Sequence, residues 1–200
     1  MLLIKCTILL FVVLMLSTTI IFAEGIDDII FGLKQTLSID TIYHLFGIIG
    51  VGIWANQARQ TRIGNLSLLF LLSLGVSCLM GMSINFSFDM RPIIAGEIIV
   101  LGVLIGRCIG LTSAWDVGAI MIFGLLHGVI LGSLAQGKAP MFFPLGVVLS
   151  GVILLMAGTI ITWVLGIQKL NSNASRYHNA PFVGGILTGA GVTIMIWFLR

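Results

Sequence analysis

Charged residues are scarce in this chain of 200 residues, where Asp, Glu, Lys and Arg together make up 8% of the sequence. An average protein carries about 25%, so this chain cannot cover a folded domain with a solvated surface. Apolar residues make up 58% and the mean hydropathy is +1.18, which excludes disorder, because disordered chains are poor in apolar residues. The net charge of +3 is too small and too dispersed to indicate a nucleic-acid partner. The composition predicts an integral membrane protein whose surroundings are the lipid bilayer.

Cysteine is scarce as well, and the usual catalytic motifs are missing. Cys6, Cys78 and Cys108 are scattered and odd in number, which gives neither a disulfide framework nor a zinc motif. The sequence has no HExxH pair, no GxSxG elbow and no glycine-rich phosphate loop. It therefore predicts a protein that is not an enzyme and that carries no resident cofactor.

The first 23 residues have the pattern of a secretory signal peptide. Lys5 supplies the positive charge, Ile8 to Leu16 the apolar region, and Ile21-Phe22-Ala23 a cleavage site. We predict that residues 1–23 are removed and that the mature chain begins at Glu24; an uncleaved anchor is the alternative.

Six further apolar stretches, each near the roughly 20 residues of a membrane-spanning helix, predict one domain of six transmembrane helices over residues 24–200. They are 38–56, 64–84, 92–111, 114–134, 142–167 and 181–199. An exported leader places the mature N-terminus outside, and the inner loops then hold Arg59, Arg62, Arg107, Lys169 and Arg176. The outer ends hold Lys34, Arg91, Lys138 and Arg200, which leaves a slight excess of positive charge inside. We predict an all-α, multi-pass protein of the bacterial inner (cytoplasmic) membrane.

Rows of glycine predict where these helices pack closely. The rows are Gly102, Gly106 and Gly110 in the third span, Gly124, Gly128 and Gly132 in the fourth, and Gly185 and Gly189 in the sixth. Small residues four apart let two helix backbones approach each other in lipid, where hydrophobic burial gives no help.

Ionisable residues inside apolar stretches are costly in a bilayer and are candidates for function. Four stand out, namely Asp40, His44, Glu97 and His127. In the predicted topology the last three lie about 8 to 11 Å below the outer surface, on three different helices. Asp40 precedes His44 by four residues and shares its helix face. Imidazole suits nickel, cobalt, copper and zinc, and a carboxylate adds charge compensation, so the four residues form a candidate metal site.

Each of these residues has a structural alternative. For His127 the alternative is a hydrogen bond between helices. For Glu97 it is an ion pair with Arg91 near the membrane interface. For Asp40 it is a helix cap. Under these alternatives the polar groups would hold the bundle together and bind no metal.

The stretch from Tyr43 to Gln57, YHLFGIIGVGIWANQ, resembles the first span of the HupE/UreJ family of hydrogenase and urease accessory membrane proteins. Pro92 to Gly106 is similar to the family's glutamate-bearing span, and Leu125 to Gly132 to its histidine–glycine box. The family's first box reads approximately HPxxGxDH, whereas residues 37–44 read LSIDTIYH. Its HGHAHG box reads HGVILG here, which keeps one of three histidines.

The resemblance implies a permease for a divalent transition metal, nickel or cobalt, that supplies metalloenzyme maturation. It implies His44 and His127 as ligands, Glu97 as a ligand or charge compensator, and Asp40 as an auxiliary carboxylate, with the ion bound transiently as cargo. The missing histidines leave a second function open, a membrane accessory or interaction protein that uses the same scaffold without transport. Whether the chain forms a homo-oligomer is also left open.

Overall fold

A computed structural model describes residues 25–57, 63–84, 89–107, 113–135, 141–167 and 179–200, and within these ranges the chain is helical with short turns and contains no strand. Residues 25–36 form a helix, α1, and a 3₁₀ turn follows at Ile39–Thr41. The remaining helices are α2 (Ile42–Gln57), α3 (Ile63–Ser83), α4 (Arg91–Gly106), α5 (Ser113–Leu134), α6 (Phe143–Val164) and α7 (Ala180–Phe198). The predicted all-α architecture is confirmed for these residues, whereas the predicted signal peptide lies outside them.

Each of the six predicted apolar stretches overlaps one α-helix to within a few residues at each end, and prolines mark three of the helix starts. Pro92, Pro144 and Pro181 lie in the first turn of α4, α6 and α7, where the missing backbone N–H costs no hydrogen bond. At the other end of α6, Gly166 adopts a φ of 62°. The N–H of Ile167 donates to the carbonyl of Thr162 at 3.0 Å and that of Gly166 to Trp163 at 3.2 Å, which is the hydrogen-bond pattern of a Schellman helix end.

Four of the helices are long and apolar enough to cross a membrane, namely α3, α5, α6 and α7. Helices α2 and α4 have 16 residues each, or about 24 Å, against a hydrocarbon core of roughly 30 Å. Eleven of the 16 residues of α2 are buried, but five of the 19 in α7. Helix α2 therefore runs through the interior of the bundle and has less contact with the surroundings than α7.

The bundle is built from three close-packed helix pairs. Helices α3 and α5 run parallel, because Gly124 faces Phe70 and Gly132, two turns later, faces Cys78. Helices α4 and α7 run antiparallel and meet at Gly102, Gly106 and Gly184. Helices α2 and α6 run parallel, because Gly52 faces Leu155 and Asn56, one turn later, donates to the hydroxyl of Thr159 at 2.9 Å. In every pair, backbone lies against backbone with no room for a side chain.

The predicted glycine rows are correct for α4 and α5 and wrong for α7. Gly185 and Gly189 have no neighbouring atom within 4 Å of an added Cβ, and the face of α7 that meets α4 carries Gly184 and Gly191 instead. The difference is one residue, which turns a helix face by about 100°. Gly110 lies outside the described residues.

Helix α1 is an element that the apolar pattern did not predict. Its Phe31 ring lies 5.4 Å from that of Phe143, and an added Cβ on Gly32 would meet the carbonyl oxygen of Phe143. The side chain of Asp28 accepts a hydrogen bond of 3.4 Å from the backbone N–H of Phe142, at the start of α6. Helix α1 is therefore attached to the N-terminal end of α6.

Candidate metal-binding site

His44, His127 and Glu97 meet inside the bundle and form one chain of hydrogen bonds. The Nδ1 atoms of His44 and His127 lie 2.6 Å apart. Nε2 of His127 lies 3.0 Å from Oε1 of Glu97. The proximity predicted from the depth of the three residues is therefore present in the structure. We refer to these three residues as the His–His–Glu cluster.

The cluster is closed off from solvent. Both histidines are 0% exposed and Glu97 is 5% exposed. The ring of His44 packs against Tyr43, with ring centroids 4.5 Å apart, and the ring of His127 packs edge-on to Phe70 at 6.2 Å. Polar groups buried this deeply need partners, and the cluster members supply them to one another.

Each member of the cluster belongs to a different helix pair. His44 is the third residue of α2, Glu97 the seventh of α4 and His127 lies on the last third of α5. The cluster thus lies where the three close-packed pairs meet, and its geometry depends on how the pairs sit against one another.

Small residues make the room for the histidine rings. An added Cβ on Gly47 would lie 2.5 Å from Nε2 and 2.6 Å from Cε1 of His127, so α2 can approach α5 at this level because position 47 is glycine. About 100° further around α5, an added Cβ on Gly128 would meet Ser77 and the carbonyl oxygen of Leu74. These contacts hold α5 against α3 and fix the position of His127 between α3 and α2.

The hydrogen bonds constrain where the protons lie. With Glu97 ionised, His127 donates its Nε2–H to the carboxylate, so that its Nδ1 is an acceptor in the neutral ring. His44 must then donate from Nδ1, which leaves its Nε2 without a proton. That tautomer is inferred from the network. An unprotonated imidazole nitrogen is the form that binds a metal ion.

Two buried atoms of the cluster have no hydrogen-bond partner among the described residues. They are Nε2 of His44 and Oε2 of Glu97. A nitrogen with a free lone pair and a carboxylate oxygen are ligand types that nickel, cobalt and zinc accept. The described residues do not, however, gather three His, Cys, Asp or Glu side chains around a single point. The cluster is a line with His127 in the middle, and it offers its open ligand atoms at the two ends.

Asp40, the fourth predicted site residue, lies apart from the cluster. It is exposed, in the 3₁₀ turn that precedes α2. Its backbone N–H is 3.3 Å from the hydroxyl oxygen of Ser38. The structure therefore brings together three of the four predicted residues.

The alternative pairing of Glu97 with Arg91 is wrong. Nε of Arg91 donates to Oδ1 and Oδ2 of Asp89 at 2.8 and 2.9 Å, and Nη2 lies 2.7 Å from Oδ2. Asp89 precedes α4, whereas Glu97 is almost two turns inside it. Glu97 therefore has His127 as its partner, because Arg91 is held at the surface by its neighbour in sequence.

Two residues that shape the site were not singled out from the sequence. Gly47 follows His44 by three residues and therefore shares its helix face. That spacing was a usable signal. Tyr43, buried against His44, had no such signal, because an aromatic residue in an apolar stretch is ordinary packing material.

Comparison with known proteins supports one family. The family model described as HupE / UreJ protein matches residues 37–194, a range that includes Asp40 and all three cluster residues. A search of curated proteins and a search of solved structures each returned no significant match. The family match spans most of the chain, and the protein therefore belongs to the HupE/UreJ family.

Proposed function

We propose that this protein is a membrane permease for a divalent transition-metal ion, nickel or cobalt, which it supplies for metalloenzyme maturation. The observation that carries the proposal is the buried His–His–Glu cluster, with one nitrogen and one carboxylate oxygen left open. Membership of a family of hydrogenase and urease accessory membrane proteins supports the choice of metal. Transport of an ion, rather than catalysis, is the proposed activity.

The proposed topology has six spans, with α2 and α4 as the two short inner ones. The parallel and antiparallel pairs agree with spans that alternate in direction, since α2, α4 and α6 run one way and α3, α5 and α7 the other. We place the starts of α2 and α4 on the outer side of the bacterial inner membrane. The cluster then lies within the outer third of the bilayer.

The cluster residues have distinct proposed roles. Nε2 of His44 would bind the ion directly, and Oε2 of Glu97, at the other end of the line, would balance its charge or become a ligand once the line rearranges. His127 would become a ligand when its hydrogen bond to His44 gives way, since both of its ring nitrogens are occupied in the structure. Exposed Asp40, one turn before His44, would act as an auxiliary carboxylate. Few fixed ligands suit a transported ion, because binding must be weak enough for release.

The test is uptake of radioactive nickel by cells that express the full chain. Wild type, the His127→Ala variant, the His44→Ala variant and an empty vector are compared, with the protein level in the membrane measured for each. The matched control is His178→Ala, which removes the third histidine of the sequence. We expect uptake above the vector for wild type and His178→Ala, and uptake at the vector level for the two cluster variants. Undiminished uptake in a His44→Ala, His127→Ala double variant would contradict the site.

A second function is favoured by one observation, the full use of both ring nitrogens of His127 by protein groups. Under this alternative the cluster ties the helices of a non-transporting accessory protein together. Wild type would then show no uptake of nickel or cobalt, and His127→Ala would lower the melting temperature without changing the metal content of the purified protein. Repeating the uptake with radioactive cobalt separates a different cargo from no transport.

A further inference from the structure

A column of side chains in contact connects the buried cluster to an exposed ion pair. From His44, the ring of Tyr43 follows at 4.5 Å, and the ring of Phe198 lies 5.7 Å beyond it, edge-on. The guanidinium carbon of Arg91 lies 4.7 Å from the centroid of the Phe198 ring. The column ends at Asp89, which binds Arg91. Three chain segments contribute to it, namely the starts of α2 and α4 and the end of α7.

Burial falls from one end of this column to the other. Tyr43 is 2% exposed and His44 fully buried. Phe198 is half-buried, and the side chains of Arg91 and Asp89 are 49% and 42% exposed. Phe198 thus lies between the exposed ion pair and the Tyr43 ring that packs against His44.

Arg91 is fixed in place by several contacts to one carboxylate. In addition to its side-chain hydrogen bonds, its backbone N–H donates to Oδ1 of Asp89 at 3.0 Å. The side-chain hydrogen bonds from Arg91 hold the pKa of Asp89 below its ordinary value, so the carboxylate is ionised at neutral pH. A planar guanidinium held by a carboxylate is well placed to rest on an aromatic face.

We infer that Phe198 is the lid that controls access to His44 from this end of the bundle, and that Arg91, held by Asp89, is the latch that keeps the lid closed. This inference rests on the proposed function for its purpose, because a transported ion has to reach Nε2 of His44. The lid sits in the last turn of α7, the helix with few buried residues, and helix ends of this kind open locally at low free-energy cost. The latch is made of surface contacts of modest strength, so it can open often.

The test measures how fast diethyl pyrocarbonate modifies His44 in the purified full chain, reconstituted in lipid nanodiscs and read by mass spectrometry. The reagent reacts with an unprotonated imidazole nitrogen, which is Nε2 of His44 in the tautomer inferred from the hydrogen bonds. The lid variants are Phe198→Ala and Phe198→Leu, and the latch variants are Arg91→Gln and Asp89→Asn. Phe198→Leu keeps an apolar side chain, so the test survives if the alanine variant fails to fold.

Matched controls carry the same substitutions away from the column. Phe182→Ala removes an exposed phenylalanine at the other end of α7. Arg107→Gln changes the residue at the other end of α4, and Asp27→Asn changes an exposed carboxylate on α1. These variants have the same chemistry as the test variants but do not contact Phe198.

We expect modification of His44 about two to five times faster than wild type in the latch variants. We expect about tenfold or more in Phe198→Ala, which lacks the ring altogether, and the wild-type rate in the controls. Wild-type rates in all folded lid and latch variants would overturn the inference.

Nickel uptake distinguishes failure of the lid from failure of the proposed function. If the wild-type chain takes up no nickel but the lid variants are modified faster, the lid inference holds and the proposed permease function is wrong. If uptake depends on His127 but His44 is modified at the wild-type rate in every lid variant, the proposed permease function holds and the lid inference is wrong.

Discussion

The Nδ1 atoms of His44 and His127 lie 2.6 Å apart, although 83 residues separate the two in sequence. They join α2 to α5, which belong to different close-packed pairs. The bond from His127 to Glu97 adds α4. A short line of three polar side chains therefore ties all three pairs together, and this makes it open to tests of both stability and metal binding.

Removing the middle of the line should cost stability. In His127→Ala, both hydrogen bonds are lost and the buried carboxylate of Glu97 has no partner, a change worth about 3 to 5 kcal/mol in the free energy of unfolding. Thermal unfolding in detergent should show a clearly lower melting temperature. Melting of His127→Ala at the wild-type temperature would rule out the bonded cluster.

A methyl group at position 47 should disturb the site without removing any ligand. In Gly47→Ala the added carbon would lie 2.5 Å from Nε2 of His127, so the ring must move and its bond to Glu97 must weaken. We expect nickel uptake to fall at least about tenfold. Gly185→Ala, with open space around its added carbon, is the matched control and should retain wild-type uptake.

The close contact between α3 and α5 predicts different effects for two glycine-to-alanine substitutions on α5. Gly128→Ala would push its methyl into Ser77 and the backbone of α3, whereas Gly118→Ala meets no atom within 4 Å. Overpacking of this kind costs about 1 to 3 kcal/mol. Unfolding in detergent should therefore find Gly128→Ala destabilised and Gly118→Ala at or above wild type. A stable Gly128→Ala protein would mean that the two helices are not in backbone contact.

The end of α6 can be tested at Gly166, whose φ of 62° is unfavourable for residues with a Cβ. Gly166→Ala should reduce the free energy of unfolding by about 1 to 2 kcal/mol. Gly166→Asn should lose less, since asparagine tolerates this conformation better. The order of the two variants in a chemical unfolding series checks the assignment, and a more stable alanine variant would contradict it.

Much of the fold could be predicted because lipid imposes a simple rule. Every backbone polar group must be paired within the segment, so apolar stretches of about 20 residues become helices. The positions of α2 to α7 follow from that rule. The predicted topology put His44, Glu97 and His127 at one depth and so predicted their proximity, which the structure shows.

The features that were not predicted depend on the rotation of a helix about its axis and on competition between nearby hydrogen-bond partners. Which face of α7 meets α4 differs by one residue between Gly184 and Gly185, and no hydropathy pattern resolves that. Arg91 binds Asp89 rather than Glu97, because Asp89 is only two residues away in sequence and is therefore within reach however the helix is oriented. Helix α1 is too polar to stand out as a span, yet it is held by Phe143 and the start of α6.

The pairing of helices has a consequence for how changes propagate through the molecule. Each close-packed pair is expected to move as one rigid unit. The two backbones are in direct contact, and no flexible side chains lie between them to absorb a shift. One member of the His–His–Glu cluster lies on each pair, so a tilt of any pair changes the distances between the three side chains. Substitutions along a distant seam, such as Gly184 against Gly102, can therefore retune the cluster without touching it.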